Sequence, residues 1–72
     1  MTLHDRYCAG LTALGCERLP KRNKYTMYQY RGKVDRVFFV GTSGALRMSP
    51  RANAATSHPC SDALKARVLA AA

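Results

Sequence analysis

The sequence predicts an α+β domain in which a three-stranded antiparallel sheet packs with two helices, in the order helix, strand, strand, strand, helix. Three observations lead there. Apolar residues recur at helical spacing near both ends of the chain, the middle holds two runs rich in aromatic and β-branched residues, and glycines punctuate the joins. The 72 residues are read as one domain, 1–72. A domain this small hides only roughly 60% of the surface its unfolded chain exposes, so a thin core is expected and an elaborate catalytic cleft is not.

Each element has its own signal. Thr2 followed by Asp5 forms a capping pair, with the hydroxyl set to accept an early backbone N–H and the carboxylate at the positive end of the helix. Leu3, Tyr7, Leu11 and Leu14 then make one apolar stripe, and Gly15 supplies the stop, which places the first helix at about residues 3–14. Gly10 lies inside it against its propensity. After "CERLPKRN", whose Pro20 and Asn23 suggest a bend or a strand edge, Lys24 to Arg31 suits a pleated surface. Along it Tyr25, Met27 and Gln29 alternate with Thr26, Tyr28 and Tyr30. Gly32 marks a turn, "VDRVFFV" from Val34 to Val40 is apolar enough for the central strand, and "GTSG" breaks into "ALRMS". In that third strand Leu46 and Met48 share a face and Arg47 takes the other. "PRANAAT" reads as an exposed connection; Ser57 or Ser61 then caps a last helix, with Pro59 in its first turn. Cys60, Leu64, Val68 and Ala71 form its apolar stripe, with Lys65 and Arg67 off it, so this helix docks on the sheet. No internal repeat or low-complexity segment is visible.

Net charge is +8, and its placement says more than its size. Between Arg18 and Arg51 stand nine bases and the single acid Asp35, while the flanks hold three bases and three acids. Charge gathered on one structural unit creates a field that attracts polyanions. The same stretch is aromatic, and tyrosines beside lysines and arginines are suited to stacking on bases while the cations follow phosphates. The candidate nucleic-acid-binding residues are therefore Lys21, Arg22 and Lys24 at one strand entry, Arg31, Lys33 and Arg36 at the hairpin tip and return strand, Arg47 and Arg51 on the third strand and its exit, and Tyr28 and Tyr30. Alternation assigns one set of strand residues to the core, and Tyr28 with Tyr30 is taken as the outward set. Positioning contacts of this kind carry no base information, so no sequence specificity follows.

Other classes of function find little support. No run of 18 or more apolar residues spans a membrane. "MTLHDRYCAG" places His4, Asp5 and Arg6 where a signal peptide needs an apolar stretch, so a cytoplasmic protein is expected. Cys8, Cys16 and Cys60 are an odd set and are read as reduced thiols. A zinc site could draw on His4, Cys8, Cys16, His58 and Cys60, but the paired C-x₂₋₄-C spacing is missing, so neither metal nor cofactor is expected. The four carboxylates are scattered, no phosphate loop or nucleophile elbow is present, and "GTSG" reads as a turn. Were there hydrolysis, His58 beside Cys60 would be the place to look. The ending "LAAA" is similar to bacterial degradation tags, though an ordinary helix end accounts for it.

The element order resembles that of double-stranded-RNA-binding-like domains. From about Leu11 to Ala70 the chain is similar to HicA-type RNA-cleaving toxins: a helix ending in Gly15, a basic strand, "KYTMYQYRGK", "RVFFVG" and a final helix. In that family the gap before the aromatic strand carries a glycine, a small residue and a catalytic histidine. Here those places read Asn23, Lys24 and Tyr25, so the resemblance implies the fold without the cleavage. Between Lys24 and Leu69 the chain also resembles the three-stranded DNA-binding domains at the N-termini of some phage integrases, relative to which the first helix is extra. The expectation is a monomeric or weakly dimeric, non-catalytic nucleic-acid-binding module, with duplex DNA ahead of structured RNA. Its rivals are a small phage-type protein that docks on and regulates a host protein, for which the same polarised charge would serve, and a HicA-like toxin relative.

Overall fold

The Thr2 hydroxyl accepts the Asp5 amide at 3.2 Å, and the Asp5 carboxylate accepts the Thr2 amide at 3.2 Å. This reciprocal cap opens helix α1, Leu3–Ala13, in a computed structural model that describes residues 1–20, 25–30, 36–51 and 53–72. The helix ends at Gly15, whose φ of 87° only glycine adopts cheaply. Gly15 donates to the Thr12 carbonyl and Cys16 to the Leu11 carbonyl, both at 3.0 Å, so the last carbonyls find partners in a Schellman motif.

The chain then forms an antiparallel meander: β1 Glu17–Arg18, β2 Tyr25–Tyr30, β3 Arg36–Gly41, β4 Leu46–Ser49 and β5 His58–Pro59, in that spatial order. Helix α2, Asp62–Ala71, follows, with Ser61 accepting the Leu64 amide at its cap. The α+β class and both helices are as expected, but the sheet has five strands rather than three. The two additions are edge strands of two residues each, β1 against β2 and β5 against β4. Two residues are too few to show a period. Pro59, expected in the first turn of the last helix, instead sits in an edge strand, where its missing N–H removes no interior hydrogen bond. Val34 and Asp35, expected in the central strand, lie outside the described residues.

On one face of the sheet Tyr28, Phe38, Val40 and Leu46 pack with Tyr7, Leu11, Cys16, Cys60 and Val68 into a single buried cluster. Helix α1 lies against β3, and α2 packs mainly on α1, adding Val68 to the cluster. A Cβ at Gly10 would collide with the Val68 carbonyl oxygen, which explains a glycine that helix propensity argues against. On the opposite face Met27, Val37 and Phe39 form a second buried cluster, with Leu19 and Tyr25 packed against it. Tyr25 meets Phe39 edge to face, ring centroids 5.8 Å apart and planes at 78°. The segment after β4 is tied to this face by polar bonds: Ser49 Oγ lies 2.6 Å from Thr56 Oγ1, and the Arg47 guanidinium donates to the hydroxyl and carbonyl of Ser57, both at 2.9 Å.

Candidate nucleic-acid interface

The double burial of the sheet decides where charge can go. Val37, Phe38, Phe39 and Val40 are all buried, so successive residues of β3 point into two different cores and neither face of this strand is open to a ligand. Exposed cations must therefore stand at strand ends, at edges and on helices. Arg36 is exposed at the first position of β3, opposite Tyr30 at the last position of β2. Ser49 pairs with Val37, so the chain leaves β4 towards this same end of the sheet, and exposed Arg51 follows, its amide bonded to Ser49 Oγ at 3.3 Å. Arg18 is exposed on the edge strand β1, opposite Tyr28.

The ten candidate residues fare differently. Arg36 and Arg51 are exposed at one end of the sheet. Arg47 is half-buried and its guanidinium is held by Ser57, so it fastens the segment after β4 to the second face. Tyr28 is the clear correction. It was expected outward with Tyr30, yet it is only 4% exposed, in the helix-side cluster beside Phe38 and Cys16. The alternation was right and the choice of face was wrong: residues 26, 28 and 30 all turn towards the helices. Burial raises the Tyr28 phenol above its ordinary value. Tyr30 shares that face but stands at the strand end, 40% exposed. Lys21, Arg22, Lys24, Arg31 and Lys33 lie outside the described residues.

A cleft of about 350 Å³ opens beside Tyr30, between the C-terminal part of α1, the middle of α2 and the end of the sheet. Its interior is apolar, lined by Leu11, Leu14, Phe38, Leu64 and Val68, and its charged lining residues are Arg36 and Arg67. The Arg36 guanidinium reaches the Met48 sulfur at 3.4 Å. Arg67 was not among the candidate residues. In sequence it belongs to a flank of zero net charge, and only the packing of α2 across α1 brings it to the sheet end where Arg36 stands.

The groups considered for metal binding or hydrolysis are distributed otherwise. His4 Nε2 lies 3.0 Å from the hydroxyl of buried Thr26 and 3.8 Å from Cys8 Sγ, while Nδ1 faces Asp5 at 3.4 Å. His4 thus satisfies a polar group buried under α1. The Thr2 cap, with His4 adding to it, lowers the Asp5 carboxyl below its usual range. Cys16 and Cys60 are buried, and burial raises both thiols, which makes them poor nucleophiles at neutral pH. His58 is exposed on β5, so it and the buried Cys60 do not form an open catalytic pair. Among the described residues no three His, Cys, Asp or Glu side chains are grouped to hold a metal, and no helix is long and apolar enough to cross a membrane. Comparison with family models, curated proteins and solved structures returns no match for this chain.

Proposed function

We propose that this chain is a non-catalytic nucleic-acid-binding module that holds phosphates with cations at strand ends and loops, with duplex DNA as the first target and structured RNA as the second. The observation that carries the reading is the segregation of charge: the stretch from Arg18 to Arg51 accounts for the whole net +8. The exposure of Arg36 and Arg51 at one end of the sheet supports it. So does the double burial of β3, which leaves backbone-following contacts as the natural mode and removes the sheet face as a reading surface.

The test is fluorescence anisotropy against duplex DNA, single-stranded DNA and folded RNA at rising salt. If about six cations neutralise phosphates, log affinity should fall against log salt with a slope of roughly −5 on duplex DNA. Arg36→Glu combined with Arg51→Glu should flatten that slope by about two, since each lost phosphate contact contributes nearly one. Absence of binding to all three polymers at low salt, or binding indifferent to salt, defeats the proposal and favours an acidic protein partner.

A further inference from the structure

The cleft beside Tyr30 combines features that a duplex backbone does not use. Its walls are apolar, a 40%-exposed tyrosine stands at its edge, and two arginines from different elements share it with no carboxylate among the lining residues. Arg67 makes no hydrogen bond or ion pair among the described residues. Two exposed guanidinium groups beside an apolar hollow offer charge-assisted hydrogen bonds to an anion and apolar surface to a flat body beside it. At about 350 Å³ the opening is suited to one nucleotide and too small for a duplex. A second copy of the chain would bring its own arginines against these, and a long acyl chain would find no enclosed tunnel.

We infer that this cleft receives a single unpaired nucleotide, its base stacked against Tyr30 over the apolar floor and its phosphate held between Arg36 and Arg67. The inference rests on the proposed nucleic-acid function and narrows it: the favoured ligand is a duplex carrying an overhang or a bulge, because a paired base cannot enter. Tyr30 lies in the second half of β2, where its neighbour Tyr28 is sealed under the helices, so the strand end offers the free ring. Leu14, itself 45% exposed just past the end of α1, adds apolar surface to the lining.

The full chain is titrated at low salt with three labelled probes: a blunt duplex, the same duplex with a short overhang, and the same overhang built from abasic sugar-phosphate. The natural overhang should bind about ten-fold more tightly than the blunt duplex, in line with stacking of a single base. The abasic overhang, which keeps the phosphates, should lose most of that advantage. Tyr30→Ala and Arg67→Glu should each bring the ratio of overhang to blunt affinity close to one, whereas Tyr30→Phe should retain it; thermal melts confirm that each variant is folded. An overhang bound no better than the blunt duplex, or a ratio unchanged in both Tyr30→Ala and Arg67→Glu, overturns the inference. Salt-sensitive binding to the blunt duplex alongside a ratio of one leaves the broader function standing and removes only this site. Failure of every polynucleotide to bind removes both.

Discussion

Both faces of the sheet carry a buried apolar cluster, but the two are built differently. On one, two helices lie across a broad cluster in which Leu11, Val40 and Val68 are fully buried. On the other, the smaller cluster of Met27, Val37 and Phe39 is flanked by Leu19 and Tyr25, and the neighbouring segment is fastened by hydroxyl and guanidinium bonds at Ser49 and Arg47. The helix face depends on apolar area. The second face has a smaller cluster, beside which a few directed polar bonds hold the segment after β4 to Arg47 and Ser49, and such bonds fail singly. With both faces of β3 buried, exposed Arg36, Arg51 and Arg18 stand at the end and edge of the sheet, and Arg67 on a helix.

The matched pair Phe38 and Phe39 tests this comparison most strongly, since the two rings are neighbours in one strand and enter opposite cores. Alanine at either should cost about 3–5 kcal/mol in a denaturant titration. A loss at Phe39 less than half that at Phe38 would show the second face to be only loosely closed. Gly10→Ala acts on the helix face alone. Helix propensity favours alanine by about 1 kcal/mol, but the collision with the Val68 carbonyl should outweigh it and leave a net loss of about 1–3 kcal/mol. A stabilised variant would mean that the helices separate freely. On the second face, Ser49→Ala removes the partner of Thr56 and of the Arg51 amide, with an expected loss of about 1–2 kcal/mol and faster proteolysis of the segment after β4. Unchanged proteolysis would show that apolar contacts alone hold that segment.

The smallest effect separates the faces by pH. Cys16, Tyr28 and Cys60 all belong to the helix-side cluster, and burial raises all three. Below the ordinary thiol value of about 9 the folded and unfolded chains hold the same protons at these groups, so they add no slope. Above it the unfolded chain releases protons that the folded chain retains, and stability falls as pH rises. Tm should therefore be insensitive to these groups between pH 7 and 8 and decline from about pH 9 upward, with a shallower decline in Cys60→Ala. An equal decline in that variant would assign the effect to Cys16 and Tyr28 alone.

Much of this architecture was legible in advance. Thr2, Asp5 and Gly15 announced both ends of α1, and the Tyr25–Tyr30 alternation was correct in period. What alternation cannot supply is the identity of the covered face, and here it misled, because both sets of residues are apolar enough to be interior. "VFFV" already carried the clue: a strand without polar alternation is buried on both sides. The edge strands were too short to leave a period. The sequence places Arg67 off the apolar stripe of the last helix but not beside the sheet end, because that position depends on a contact between the two helices, which no local pattern encodes. Gly10 looked like a blemish for the same reason.

That contact between Gly10 and Val68 joins the first and last helices, almost the whole chain apart. Closing so long a loop is entropically slow, so the clasp is expected to form after the hairpins of the meander rather than before them. Once shut, it makes α1 and α2 a single cooperative unit: their amides should exchange with deuterium together, and a lesion in either helix should loosen both.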